Sequence, residues 1–301
     1  MARKIETLAS YQLDKKAWDR CIRQSASGLI YATTDYLDHL ADNWYGIIIN
    51  DYESVLPIPF RQKFGIKYCY DVPFAPQLGL FSSRYTEVDE ELLKCIFTTV
   101  QYGDYNFNFL NQPVKANSVH HNYVFSLQGS YAGLKKNFSK DVLENIHKAE
   151  QQDLRYQPAT IDEAVTLYIN LYASRSAHVT KDIYERFKAV ALLLEKGGKA
   201  LARKVTDASG NTLATLLLLK DERRLYNIMN STTPEGRSTE ANYFLLSEVW
   251  KEFQHSDLVF DFEGSDIEGI RNFYRKFGAT DQPYRRLHFN NLPAWIKWLK
   301  K

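Results

Sequence analysis

The 301-residue sequence predicts an α+β protein made of two similar domains. Three observations lead there. The chain is longer than one hydrophobic core usually serves and suits two. Short apolar runs of strand length alternate with amphipathic helical stretches in both halves, with turn residues between them. The pattern D-x-x-F-x-F occurs from Asp104 to Phe109 and again from Asp257 to Phe262, each time after an amphipathic helix that follows two or three strands. A match in both wording and context marks a duplication.

In the first half, DKKAWDRCIRQ sets Trp18, Cys21 and Ile22 on one helical face. WYGIIIN and SVLPIPFRQK read as neighbouring strands turned by DYE. KYCYDVP and APQLGLF are extended segments broken by Pro73 and Pro76. DEELLKCIFTTVQ is a helix with Leu93, Ile96, Phe97 and Val100 at i, i+3, i+4 and i+7, and its acidic first turn suits the positive end of the helix dipole. DYNFNFLN and HNYVFSL follow as strands. Residues 129–151 form a charged helical segment with a narrow stripe of Val142, Ile146 and Ala149. This segment is expected to bridge a domain at 1–128 and a domain at 152–301.

The second half starts afresh with the strand LRYQPAT. IDEAVTLYINLYASR is a helix with Ala164, Tyr168, Leu171 and Tyr172 on one side, and TKDIYERFKAVALLLEKGG is a helix stopped by Gly197 and Gly198. KALARKVTD and NTLATLLLLKD form a hairpin, RRLYNIMNS a strand, and STEANYFLLSEVWKEF a helix turning Ala241, Phe244, Leu245 and Val249 inward. In DLVFDFE, alternation predicts that Asp261 and Glu263 leave the strand from one face. Ser265-x-x-Glu268 reads as a capping box for a helix whose buried stripe is Ile270, Phe273, Tyr274 and Phe277, stopped by Gly278. YRRLHFN closes the second domain.

Composition excludes several functions. A net charge of +2 without a Lys/Arg block argues against DNA as a partner. No stretch approaches the roughly 18 apolar residues of a membrane span, and the basic start lacks the apolar run of a signal peptide. Cys21, Cys69 and Cys95 are odd in number and lack metal spacing, as expected of reduced core residues in a cytoplasmic protein. Glu144-x-x-His147 and His120-His121 lack companion ligands, so no metal site is expected. Phosphate-loop, dinucleotide and nucleophile-elbow motifs are absent.

Strand, helix, acidic-ended strand and then NFYRKFGA resembles the C-terminal half of a GNAT-fold N-acyltransferase. The wording FEGS…G…FY.KFGA is similar above all to the tandem-GNAT, Fem-like acyltransferases, which comprise peptidoglycan-peptide aminoacyltransferases and acetyltransferase-like relatives. The resemblance implies two tandem GNAT-like domains, each a mixed, mostly antiparallel sheet flanked by helices. It also implies a ligand cleft in the second domain or where the two meet. The expected reaction is transfer of an acyl group, acetyl first, from acyl-CoA to a small-molecule or peptide amine. Glu263 is the first choice for the base and Asp261 the second; Tyr274 is the acid, and backbone N–H groups of Ile228, Met229 and Asn230 face the oxyanion. Gly236, Arg237, Ser238 and Thr239 are the candidates for CoA phosphate, although the usual Gln/Arg-x-x-Gly-x-Gly/Ala turn is reduced here to one glycine. The alternatives are an aminoacyltransferase that uses charged tRNA to modify a peptidoglycan precursor, the less favoured donor, and a non-catalytic GNAT-fold binding protein. Local alternatives stand too: Tyr274 packing with Phe273 and Phe277, Asp261 and Glu263 paired with Arg271 or Lys276, and Ser238 or Thr239 as a plain helix N-cap.

Overall fold

The computed structural model describes residues 3–84, 87–175, 179–264 and 266–297. In chain order the first elements are β1 (Ile5–Ala9), α1 (Lys15–Gln24), α2 (Thr34–Leu40), β2 (Trp44–Ile49), β3 (Ser54–Lys63) and β4 (Ile66–Cys69). Then come β5 (Phe81–Ser82), β6 (Glu87–Val88), α3 (Glu90–Thr99), β7 (Tyr102–Asn106), β8 (Gln112–Pro113) and β9 (Ser118–His120). The next are β10 (Asn122–Ser126), α4 (Tyr131–Leu134), α5 (Lys140–Glu150), β11 (Arg155–Ala159), α6 (Ile161–Tyr172) and α7 (Lys181–Lys196). They lead to β12 (Ala200–Thr206), β13 (Thr212–Lys220), β14 (Arg224–Thr232), α8 (Pro234–Ser238) and α9 (Ala241–Phe253). The last are β15 (Val259–Gly264), α10 (Glu268–Lys276), β16 (Thr280–Asp281), β17 (Tyr284–Asn290) and α11 (Ala294–Lys297).

Each half builds a sheet with one parallel pair. The first sheet runs β1-β2-β3-β4-β7-β17-β9, with β5 on β3, and only β4 and β7 are parallel. The second runs β11-β12-β13-β14-β15-β10-β16, and only β14 and β15 are parallel. A helix connects the two strands of each parallel pair, α3 in one sheet and α9 in the other, as a parallel crossover requires. The repeated D-x-x-F-x-F begins within β7 and runs past its end, and in the second half begins two residues before β15 and runs into it; β7 and β15 are the second strands of their pairs. The α+β class is as the sequence predicts, and the mixed, mostly antiparallel sheets are as the resemblance implies.

The chain divides into two compact units, Met1–His121 with Pro283–Lys301, and Asn122–Gln282. This differs from blocks at 1–128, 129–151 and 152–301. HNYVFSL, read with the first domain, becomes β10 and pairs with β15 and β16 in the second sheet. YRRLHFN, read with the second domain, becomes β17 and lies between β7 and β9 in the first. Alternation reports which side chains are buried but not in which sheet. Tyr123 and Phe125 of β10, and Tyr284, Leu287 and Phe289 of β17, would bury equally well in either. The segment at 129–151 is no bridge: α5 buries Val142 and Ile146 in the second unit's core with Leu245, Leu246 and Val249 of α9.

Local signals account for several helix starts. The Asp14 side chain caps α1 and the Asp89 side chain caps α3, each accepting a backbone N–H. Thr160 and Glu163 form a full capping box on α6. In the second unit Trp250 of α9 packs against Phe125, Phe138, Phe260 and Phe277, with ring centroids 5.0–5.6 Å apart. Leu216, Leu217, Leu218 and Leu219 of β13 are all fully buried, the mark of a strand covered on both faces. Among the described residues, no helix is long and apolar enough to cross a membrane.

Candidate active site

The second unit's parallel pair is short. Register between β14 and β15 covers Arg224↔Val259, Leu225↔Phe260 and Tyr226↔Asp261. Beyond Tyr226, β14 stays paired with β13 as far as Thr232, so its other edge from Asn227 to Thr232 has no strand partner among the described residues. A bulge falls at the point of divergence: Leu217 faces Met229 and Leu218 faces Asn227, leaving Ile228 as the extra residue. Bulges re-aim backbone groups, and an open edge presents unpaired ones. Ile228, Met229 and Asn230, the expected oxyanion residues, therefore line an open strand edge.

Glu263 and Tyr274 are brought together at the same divergence. Glu263 adopts a left-handed backbone (φ 64°), which costs a non-glycine residue about 1–3 kcal/mol. Its N–H donates to Asp261 Oδ1 at 3.0 Å. This turn breaks the strand's alternation, so the two carboxylates do not leave one regular face as the sequence predicts. Burial pushes the Glu263 carboxyl well above the usual carboxylate range. Tyr274, half-buried on α10, stacks on Phe262 with ring centroids 4.5 Å apart. Burial first, then the negative charges of Glu263 and Asp261, raise its phenol, which stays protonated throughout the neutral range. Tyr274 is therefore packed on one face and electrostatically coupled to Glu263.

Asp261 has another occupation. It is 2% exposed, and its Oδ2 accepts from Arg224 Nη1 at 2.6 Å while Oδ1 also accepts from Asn122 Nδ2 at 3.0 Å. With both oxygens committed to a buried ion pair, Asp261 is unsuited to be a mobile base. The expected partners were different: Lys276 pairs with Asp141 at 2.5 Å, not with Asp261. Ser265 lies outside the described residues, and α10 starts at Glu268 with Ile267 as N-cap, so Glu268 opens the helix instead of closing a capping box. Gly278 takes the left-handed backbone (φ 76°) that stops the helix.

The segment TTPEGRSTEAN folds as two helices, not one. Thr233 caps α8 by accepting the Gly236 N–H at 3.0 Å, and Pro234 opens it. That Thr-Pro start was a readable signal. Gly236 is needed for a close approach, since a Cβ there would lie 2.2 Å from the Leu213 carbonyl oxygen. The Ser238 hydroxyl donates to the Glu235 carbonyl at 2.8 Å and Thr239 donates to the Gly236 carbonyl at 3.2 Å, so neither serves as an N-cap. Arg237 is exposed, with a long contact of 3.4 Å to the Thr232 carbonyl. Glu240, left-handed at φ 56°, stands at the start of α9.

Beside this segment a pocket of about 220 Å³ is lined by Tyr172, Thr232, Gly236, Arg237, Glu240, Asn242 and Tyr243. Asn242 Oδ1 is buried there without a hydrogen-bond partner. Tyr243 packs 5.6 Å from Phe273, whose neighbour is Tyr274, so one aromatic chain links the pocket to the phenol. Tyr172 and Tyr243 lie on the buried-side stripes of their helices, and periodicity alone cannot separate such wall residues from core.

No family profile matches the sequence, and no curated protein does. Solved structures do match. FemX shares 10% identity at a TM-score of 0.65, covering 100% of both chains. A tandem GNAT protein from the clavulanic acid biosynthesis pathway shares 9% identity at 0.53, covering 97% of this chain and 100% of that one. The C-terminal domain of a putative lysylphosphatidylglycerol synthetase from Agrobacterium fabrum shares 8% at 0.52, covering 95% and 94%. Identities this low speak to architecture alone, and on that ground the chain has the tandem GNAT fold, on the same plan as FemX.

Proposed function

We propose that this chain is an N-acyltransferase whose second unit moves an acyl group, acetyl first, from acyl-CoA to a small-molecule or peptide amine. One observation carries the reading: a carboxyl of raised pKa, just past the point where β14 and β15 lose register, lies near enough to a protonated phenol for its charge to raise that phenol. The neutral amine nitrogen attacks the thioester carbon as Glu263 takes one of its protons, and the oxyanion that forms is met by N–H groups of the Ile228–Asn230 edge. As the C–S bond breaks, the thiolate takes the Tyr274 proton, and Glu263 returns its own proton to the phenolate. Burial raises the phenol, and the same dry surroundings raise the departing thiol, which keeps the final transfer in balance.

The sign of the pH dependence follows. Glu263 must be ionised to act, so turnover rises as pH rises through its titration, above the ordinary glutamate value of about 4.3. Tyr274 must stay protonated, and its raised pKa puts any alkaline loss above the ordinary phenol value of about 10. Saturable binding of acetyl-CoA in a thermal-shift panel, competed by CoA, is the expected outcome. Failure of every acyl-CoA to bind would remove this donor.

A second reading, aminoacyl transfer from charged tRNA to a peptidoglycan precursor, is favoured by the phosphate segment. Ser238 and Thr239 spend their hydroxyls on helix carbonyls, Gly236 serves backbone packing, and the Glu240 carboxylate shares the pocket with Arg237. That arrangement is a poor cradle for a pyrophosphate. Binding of charged tRNA without any acyl-CoA would select this reading; binding of neither donor would leave a non-catalytic fold.

A further inference from the structure

The proposed chemistry makes no use of the buried pair Arg224–Asp261, yet this pair lies within the last stretch where β14 and β15 are in register. Both side chains are more than nine-tenths buried. Asp261 Oδ2 accepts from Arg224 Nη1 at 2.6 Å, and Arg224 Nη2 donates to Gln282 Oε1 at 2.8 Å. Asp261 Oδ1 accepts twice, from Asn122 Nδ2 and from the Glu263 N–H, each at 3.0 Å. The circle closes where the Gln282 N–H donates to the Asn122 carbonyl at 2.7 Å.

Asn122 and Gln282 are the first and last residues of the second unit. One ion pair thus holds the residue where the chain enters, the residue where it leaves, and the left-handed backbone that aims Glu263. Buried ion pairs are rarely the stable choice, because apolar residues of similar volume often do as well or better. What apolar residues cannot supply is direction: hydrogen bonds that fix a backbone N–H and two side-chain amides at once.

We propose that Arg224 and Asp261 are positioning residues for Glu263, fixing its left-handed turn, and so the aim of its carboxylate, against the strand ends that carry Asn122 and Gln282. The inference rests on the reading of Glu263 as the base. Asp261 was a candidate base by sequence; here it acts through its neighbour.

The test is a 13C-detected titration of the Glu263 carboxyl in the whole chain, assigned with E263Q, in wild type and two double variants. R224M/D261L removes both charges together, so the net charge is unchanged and a shift reports position. Its Glu263 midpoint is expected to fall by about one pH unit or more, toward the ordinary glutamate value, as the carboxyl swings to water. R224Q/D261N keeps an oxygen for the Glu263 N–H and is expected to retain the wild-type midpoint. With acetyl-CoA as donor, the apolar variant should lose turnover about tenfold or more at unchanged KM, and the polar variant should recover most of it. An unchanged midpoint in folded R224M/D261L overturns the proposal. If that variant does not fold, R224Q/D261A, which keeps a polar partner for Gln282 and removes the oxygen that holds the Glu263 N–H, is titrated instead; a lowered midpoint supports the proposal and an unchanged one overturns it. Absence of acetyl transfer in wild type would end the acyl-CoA reading alone, because the titration needs no donor.

Discussion

The two units differ most where they are most alike. In the first, β4 and β7 are in parallel register only at Tyr68↔Tyr102 and Cys69↔Gly103, and then the chain itself returns to fill the gap. Leu78 bridges to Phe107, the Leu78 N–H donates to the Asn106 carbonyl at 3.0 Å, and the Gly79 N–H donates to Tyr105 OH at 2.9 Å. Asn108 and Asn111 both donate to the Leu80 carbonyl at 3.0 Å. The space left beside that pair is about 10 Å³, no more than one water needs. In the second unit no strand among the described residues pairs with the matching edge of β14, where the Thr232 N–H reaches the Tyr172 hydroxyl at 3.4 Å, and about 220 Å³ stands open near its end. Both units keep the diverging strands; among the described residues, only the first closes the divergence with a bridging segment.

The largest expected effect that sharpens this contrast is at Glu263. E263Q should lower turnover by roughly 10²- to 10⁴-fold, while Asp104→Asn, at an acid beside the first unit's parallel pair, leaves the rate unaltered in the same assay. Asp104 belongs to the repeated motif but pairs with Arg286 and His288. Equal losses in both variants would break the comparison. Next comes Tyr274→Phe, which keeps the stack on Phe262 and should cut turnover by about 10²-fold with the melting temperature unchanged. A normal rate would return the tyrosine to plain packing.

Smaller effects fall on stability. Gly103 has φ 131°, and a Cβ there would meet the Cys69 carbonyl oxygen at 2.2 Å. Gly103→Ala should cost about 1–3 kcal/mol in denaturant unfolding without altering KM, because it strains the closed divergence and not the open one. Least of all, Ser238→Ala and Thr239→Ala should move donor affinity by less than about twofold and stability by about 0.5 kcal/mol or less, since their hydroxyls serve carbonyls of their own short helix. A large loss of donor affinity in either would restore them to the phosphate site.

Much of the fold was legible in the sequence because periodicity is a local signal. The stripe Val142, Ile146 and Ala149, the run Leu216–Leu219 and the alternation in β10 and β17 all report burial directly. Sheet membership was not legible, since the partners of β10 and β17 lie far along the chain. At the site, residue type pointed to Glu263 and Tyr274. The pairing that removes Asp261 from the list depends on Arg224, a strand away and across a helix in sequence. The left-handed Glu263 had no glycine or asparagine to announce it, and such strain is expected where position is worth its cost. In the phosphate segment, the one glycine also sits in backbone crowding that residue type alone does not report.

Backbone hydrogen exchange, with and without a saturating acyl donor, tests the central claim most directly. The account predicts new protection at Asn227–Thr232, the free edge of β14, and none at Tyr70–Leu80, where the first unit is already closed. Protection confined to Tyr70–Leu80, or none at β14 with a donor that demonstrably binds, would contradict it.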